Sequence, residues 1–130
     1  MTKHSNDSKV IIHLSDLHYG GNNTTFKDLF KTDGSVLKQH FGLLNHKLVR
    51  NRHFEEKRRK AIIQKIEHLE WDYLLISGDI VTLAMEREFA EARKSLSSIL
   101  KPGKVFICPG NHDLYTPEAV QKRLLEAYFG

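Results

Sequence analysis

Residues 9–20 read KVIIHLSDLHYG, a short run rich in β-branched residues that ends in a polar cluster. A run of this length and composition is typical of a buried strand. Two further segments repeat the arrangement: residues 73–76 (YLLI) precede SGD at 77–79, and residues 104–108 (KVFIC) precede PGNHD at 109–113. The chain therefore contains three predicted strands, each followed directly by residues that can carry chemistry.

Helical periodicity separates the predicted strands. Apolar residues recur every three or four positions between 83 and 100, and again between 62 and 69. A last helix is predicted with Thr116 as its N-cap and Pro117 at its first position, running to the chain end. Its predicted apolar face consists of Val120, Leu124 and Tyr128. Alternation of strands with helices predicts an α/β fold with a mainly parallel sheet and flanking helices.

The polar residues after the predicted strands should meet at one edge of the sheet, because parallel strands end on the same side. In an extended segment, Asp16 and His18 would point to the same side and could bind one ion together. The glycines at 78 and 110 would let backbones approach closely. Carboxylate, imidazole and amide ligands without thiolates suit Mn, Fe, Zn or Ni, and the ligand types do not select one of them. The residues gathered at this edge are Asp16, His18, Asp79, Asn111, His112 and Asp113.

Each of these motifs alone also occurs in surface turns, because Asp and Asn are common turn residues. Their combination and order favour the metal site. His13 lies within the first predicted strand and is expected in the core or on a sheet face, and Cys108 is expected to be a small buried strand residue. Solvated positions are expected for the remaining histidines, which are His4, His40, His46, His53 and His68.

The composition predicts one globular domain. The chain has 130 residues, of which 40% are hydrophobic and 28% charged, and a domain usually takes about 100–200 residues. The single cysteine excludes an internal disulfide and a four-cysteine zinc site. No apolar run approaches the roughly 20 residues of a membrane span, and the start of the chain has no signal-peptide pattern, so we expect a cytoplasmic protein.

Basic residues concentrate between 38 and 60, where eight of them accompany two acidic residues, against 20 basic and 16 acidic residues in the whole chain. Such a stretch favours an anionic partner: a phosphate ester, a nucleic acid or a lipid headgroup. Nucleic acid is the least favoured, because the sequence has no recognition-helix or aromatic-stacking pattern. Residues 36–54 have the spacing of a basic amphipathic helix. This helix either packs on its own domain with a solvated basic face, or caps the metal edge and guides an anionic substrate, with or without a lipid, toward Asp79 and His112. Peripheral membrane contact through residues 36–54 is a further option.

On its polar motifs the chain resembles the calcineurin-like metallophosphoesterase superfamily. The ordered motifs of that family are Asp-x-His, Gly-Asp, Gly-Asn-His-Asp/Glu, a separate His, and Gly-His-x-His. The first three match residues 16–18, 78–79 and 110–113. The surrounding residues are similar to the branch that contains bacterial cyclic-nucleotide phosphodiesterases, and residues 41–53 resemble, more loosely, phosphoesterases of lipid A precursor metabolism.

The resemblance implies hydrolysis of a phosphomonoester or phosphodiester by water activated between two divalent metal ions. Cyclic nucleotides and lipid-linked phosphates are the implied kinds of substrate. In the family pattern Asp79 would bridge the two ions, His112 would contact the scissile phosphate and assist the leaving group, and Asp113 would orient that imidazole. The implied metal ligands are Asp16 and His18 for the first ion, Asp79 for both, and Asn111 for the second. Asn111 and His112 are the implied substrate-binding residues.

The family pattern also places three further histidines downstream, and none follows His112 in the sequence. We therefore expect residues 1–130 to form a single, truncated domain that corresponds to the first half of the family's two-sheet sandwich. Residues 22–60 would be an insertion or cap segment within it. The alternative is a non-catalytic truncated domain that binds one metal ion or an anionic partner.

Overall fold

The computed structural model describes residues 8–20 and 52–130. Within these ranges strands and helices alternate, which confirms the predicted α/β class. The elements are β1 (Ile11–Leu14), α1 (Arg52–Glu67), β2 (Tyr73–Ser77), α2 (Glu86–Leu96), β3 (Val105–Cys108), α3 (Pro117–Gln121) and α4 (Leu124–Phe129).

The strands form a parallel sheet in the order β1-β2-β3. In this register Leu74 of the central strand pairs with Ile12 on one side and with Val105 on the other. An isolated parallel bridge between Tyr19 and Val81 extends the pairing beyond the ends of β1 and β2. The loops after the strands consequently meet at one edge, as the sequence predicts.

One face of the sheet carries the core. Leu74 and Ile76 of β2 are almost fully buried there, together with Phe89 and Leu96 of α2. Burial of a large apolar side chain of this kind contributes roughly 1.5–3 kcal/mol. Helix α2 ends at Leu96 rather than at residue 100, and Ile99 is buried in the turn that follows.

The residues that helix α1 buries differ from the predicted apolar positions Ile62, Ile66 and Leu69. Ile63 and Ile66 face the core, Ile62 is half-buried, and Leu69 is exposed because it lies beyond the helix end. Arg59 lies one turn before Ile63 in the same stripe, and its side chain is also buried. A basic residue thus takes a core-facing position.

The last helix is interrupted. Thr116 caps α3 as predicted, with its hydroxyl oxygen accepting a hydrogen bond from the Ala119 amide at 3.2 Å. Arg123 then adopts a left-handed backbone (φ 48°), so α4 begins with a new orientation. This break turns Val120 towards solvent, while Leu124 is buried.

The second face of the sheet is apolar and exposed. Ile11 is 57% exposed and Phe106 55% exposed, and the Phe106 ring lies 6.0 Å from that of Tyr73. His13 also lies on this face, where its Nε2 is 2.6 Å from the Ser77 hydroxyl. Parallel sheets are normally covered on both faces. A second sheet, expected from the family's two-sheet sandwich, would cover this exposed face and stays a prediction.

Cys108 also lies on the exposed face, so the expectation that it is buried is wrong. Most of the predicted insertion or cap segment at 22–60, including most of the helix predicted over 36–54, lies outside the described residues, and α1 begins at Arg52. None of the helices in the described ranges combines the length and the apolar character that crossing a bilayer requires.

Candidate metal centre

The loop after β1 carries Asp16 and His18. Both adopt a left-handed backbone, with φ of 57° and 47°, rather than the extended conformation expected from the sequence. The reason is that the loop bends onto the segment after β2: the Asp16 amide donates to the Gly78 carbonyl at 3.2 Å and the His18 amide to the Asp79 carbonyl at 2.9 Å. The coiled loop still brings the side chains together, with His18 Nε2 3.8 Å from Asp16 Oδ1.

The loops after β2 and β3, here called the second and third loops, are in close contact through Gly78 and Gly110. Gly78 has a φ of 81°, and a side chain on it would overlap the backbone of Gly110. A side chain on Gly110 would in turn overlap the Asp79 carboxylate. The predicted close approach is therefore present, and its result is that the His112 amide donates to Asp79 Oδ1 at 3.0 Å. The Asp79 carboxylate, which accepts this one hydrogen bond, has further lone pairs for another ligand.

Asp16, His18 and Asp79 form a group whose metal-binding atoms all lie within 4.8 Å of one another. Three ligands spaced evenly around one ion, each about 2.1 Å from it, would be about 3.6 Å apart. A small inward movement of the side chains would therefore let all three hold one divalent ion. Asp16 is exposed and the other two are half-buried, so the group is open to solvent. The residues fit a metal of the kind that oxygen and imidazole ligands bind.

His112 stands beside this group. Its ring is edge-on to that of His18, with the centroids 5.1 Å apart, and stacks on Tyr115 at 6.0 Å. Its Nδ1 lies 2.7 Å from the backbone carbonyl oxygen of Thr82. Because a carbonyl only accepts, Nδ1 carries the proton, and Nε2 is left for another partner.

Asp113 has different contacts from the expected ones. Its carboxylate is almost fully buried and accepts from the Val81 amide and from the Gly110 amide, each at 2.9 Å. It therefore fixes the second loop to the third, whereas the Nδ1 of His112 is held by Thr82. A backbone carbonyl gives no sequence signal, which is why the sequence pointed to the neighbouring carboxylate instead.

Asn111 lies exposed in the turn that carries His112, at the same edge of the sheet. Its role as a metal ligand stays a prediction. The sequence missed two buried charged residues near the edge. In the sequence Arg59 falls within the basic stretch at 38–60 and no pattern marks Glu88, but they are 8% and 1% exposed.

Glu88 accepts hydrogen bonds at Oε2 from the Leu83 amide at 2.8 Å and from the Met85 amide at 3.3 Å. Burial raises the pKa of its carboxyl, and these two hydrogen bonds oppose the increase. The carboxyl group lies against Gly20, where a side chain would overlap it. Glu88 thus contacts, from the side of α2, the end of the loop after β1. This loop, residues 15–20, carries Asp16 and His18 and is called the first metal loop below.

Comparison with protein families gives a match to the calcineurin-like phosphoesterases over residues 9–129. The chain belongs to this family, whose members are metal-dependent phosphoesterases. Among curated proteins no sequence matches the chain significantly. The class of protein thus follows from the fold, the grouped ligands and the family match taken together.

Proposed function

We propose that the protein hydrolyses a P–O bond of a small phosphomonoester or phosphodiester at a divalent metal site built by Asp16, His18 and Asp79. The observation that carries the proposal is the grouping of these three side chains within 4.8 Å, with the His112 ring 5.1 Å from that of His18. A metal site and an independent imidazole at one open sheet edge are the parts that such a reaction requires.

The metal would supply the nucleophile. A divalent ion there would activate a water molecule and offset the charge of the phosphoryl oxygens. The carboxylates of Asp16 and Asp79 and the imidazole of His18 would hold the ion. The His112 amide donates to Oδ1 of Asp79, and the carboxylate would keep lone pairs for the metal.

His112 would act as the general acid. Its Nδ1–H is directed at Thr82, so in the imidazolium form the second proton sits on Nε2. As water attacks phosphorus and the P–O bond breaks, Nε2 would transfer that proton to the leaving oxygen.

A second ion would share Asp79 and use Asn111. We assign these two as its ligands and Mn, Fe, Zn or Ni as the candidate metals. Only one group of three carboxylate, imidazole or thiolate ligands occurs among the described residues. This observation favours, as a second candidate function, a chain that binds one ion without turning over.

The substrate is proposed as a cyclic nucleotide or a lipid-linked phosphate. Exposed basic residues on α1, such as Lys57 and Arg58, would attract either one through screened charge interactions. Sedimentation with anionic vesicles separates the two, because only a lipid-directed protein should pellet with them and do so less at high salt.

Hydrolysis of p-nitrophenyl phosphate and bis(p-nitrophenyl) phosphate tests the proposal. It should be measured with Mn(II) and with chelator, on the 130-residue chain and on a form extended through any Gly-His-x-His segment encoded downstream. We expect metal-dependent turnover in the form that has the full ligand set, and its loss in Asp79→Ala. If neither form shows metal-dependent hydrolysis, the proposal is wrong.

A further inference from the structure

Arg59 is enclosed beneath the first metal loop, although it belongs to an otherwise exposed basic helix. It is 8% exposed, while its neighbours Arg58 and Lys60 are both exposed. Its Nε is buried and has no hydrogen-bond partner among the residues that the structure describes. A desolvated cation is costly, and replacement of buried charges by apolar residues is often neutral or stabilising. Stability alone therefore does not explain an arginine here.

The contacts of Arg59 fall on three consecutive residues of the loop. Its Nη1 donates to the carbonyl oxygen of Leu17 at 3.2 Å and, more weakly, to that of His18 at 3.4 Å. Its Cζ lies 4.8 Å from the centre of the Tyr19 ring, within the range of a cation–π contact. The guanidinium thus covers the segment that carries one of the grouped metal ligands.

This loop needs such support because its backbone is strained. Asp16 and His18 have positive φ values, and residues other than glycine keep such a backbone conformation only where their surroundings hold it in place. The amides of His18 and Tyr19 are bonded to the chain after β2, at 2.9 Å and 2.7 Å. Arg59 binds the carbonyls on the other side. The loop is therefore held from both sides. Its amides donate to the segment after β2, and its carbonyls accept from Arg59 of α1.

We propose that Arg59 is a positioning residue that holds His18 in its metal-binding conformation. The proposal rests on the metal site proposed above and adds to it a link from α1 to the first ligand. Residues that orient metal ligands without touching the metal typically change metal affinity by about ten- to a hundredfold when they are replaced.

A cavity of about 480 Å³ adjoins this contact, between α1 and α2, and Tyr19, Arg59, Ile63 and Ser95 are among its lining residues. Truncation of Arg59 to alanine would open its position to this cavity. A small soluble guanidinium ion could then enter and take the place of the missing group.

The experiment compares Arg59→Met, Arg59→Lys and Arg59→Ala with the matched control Arg58→Met, an exposed position on the same helix. Calorimetry with Mn(II) gives the metal affinity, and the visible spectrum of the Co(II) form reports the geometry of the ligands. Amide hydrogen exchange of the metal-free chain, followed by NMR at His18 and Tyr19, reports whether the loop is held.

We expect Arg59→Met to bind Mn(II) about ten- to a hundredfold more weakly, with an altered Co(II) spectrum and faster exchange of the His18 and Tyr19 amides. Arg58→Met should match the wild type in all three. Arg59→Lys, which keeps a positively charged donor group, should fall between them. Millimolar guanidinium should restore the Mn(II) affinity of Arg59→Ala. A contribution to global stability alone would leave the Co(II) spectrum of the folded variants unchanged.

Wild-type affinity and exchange in all three Arg59 variants would overturn the inference. If Arg59→Met fails to fold, Arg59→Lys and the guanidinium rescue of Arg59→Ala decide the matter. If the wild type binds no Mn(II), the proposed function is wrong, and the exchange rates of the metal-free loop still decide whether Arg59 holds it. The two failures are therefore distinguishable.

Discussion

Nδ1 of His112 lies 2.7 Å from the backbone carbonyl oxygen of Thr82. This contact fixes the tautomer of an imidazole that stands beside the grouped ligands but is not one of them. It separates two proposed roles at the edge of the sheet: the side chains of Asp16, His18 and Asp79 would bind the metal, and Nε2 of His112 would protonate the leaving group. Substitutions at the two sets should consequently have different kinetic signatures.

His112→Ala should lower turnover without removing the metal. Loss of a general acid typically costs about 10²–10⁴-fold in rate, so we expect a fall in kcat of that order in the form of the protein that turns over. Mn(II) affinity should change by less than about fivefold, since no ligand is lost. The matched control is His68→Ala, an exposed histidine bonded to the Gln64 carbonyl. A loss of metal as large as that in Asp79→Ala would contradict this assignment.

The 130-residue chain should bind one divalent ion tightly. In the proposed site Asp16, His18 and Asp79 would supply three ligands to the first position, whereas the second would have only Asp79 and Asn111 from this chain. Calorimetric titration with Mn(II) or Zn(II) should give a stoichiometry of one, and Asp79→Ala should abolish it.

Asp72→Ala is the control for this titration. Asp72 accepts a hydrogen bond from the Val10 amide at 2.8 Å, just before β2 and thus at the end of the strand opposite the metal group. Its removal takes away one carboxylate without touching the site, so the affinity should be unchanged. Two tight sites per chain, or equal losses in the two variants, would count against the proposed ligand set.

The sequence predicts the parallel sheet and the edge because both depend on local patterns. Short β-branched runs form strands, helical periodicity separates them, and in a parallel sheet the motifs after the strands must converge. The left-handed backbone of Asp16 and His18 is not predictable in this way, because it results from hydrogen bonds to a segment more than sixty positions later. The same holds for the carbonyl of Thr82, which has no side-chain signal.

Arg59 shows most clearly what the sequence patterns cannot predict. Its basic neighbours suggest a solvated helix face, and its burial is set by contacts with a loop 42 positions earlier in the chain. The break at Arg123 has a similar origin: the pattern of residues 117–129 fits one helix, but Leu124 and Leu125 pack in the core only after the chain changes direction. Tertiary packing in both cases overrides a local preference.

Gly78→Ala should destabilise the protein far more than Gly103→Ala. Both glycines have positive φ values, 81° and 73°, so an added methyl group is strained by the backbone at either position, at a cost of about 1 kcal/mol. A methyl group at Gly103 would meet nothing within 4 Å, whereas one at Gly78 would overlap the backbone of Gly110. Overpacking of this kind typically costs a further 1–3 kcal/mol, roughly.

Urea denaturation of the two variants measures that difference. The free energy of unfolding should fall by about 2–4 kcal/mol in Gly78→Ala, and Mn(II) binding should weaken with it because the second and third loops are forced apart. Gly103→Ala should keep wild-type Mn(II) affinity. Equal effects of the two substitutions would mean that the close approach of the loops does not constrain the site.

Glu88 should make stability depend on pH. Burial raises the pKa of its carboxyl in the folded state, so the folded protein holds this proton more tightly than the unfolded chain does. Stability contributed by protonated Glu88 is therefore fully present below the unfolded pKa and is lost as the pH rises towards the folded pKa. Each pKa unit between the two states corresponds to about 1.4 kcal/mol.

Glu88→Gln removes this ionisation and keeps an oxygen that can accept from the Leu83 and Met85 amides. We expect the difference in unfolding free energy, wild type minus Glu88→Gln, to fall as the pH rises from 4 to 7, as measured by urea denaturation at each pH. Glu91→Gln is the control, since Glu91 is exposed on the same helix. A flat difference for Glu88→Gln, or an equal slope for both variants, would show that the buried carboxyl is ionised at little cost. Gly20 and the loop that ends there would then gain no pH-dependent support from α2.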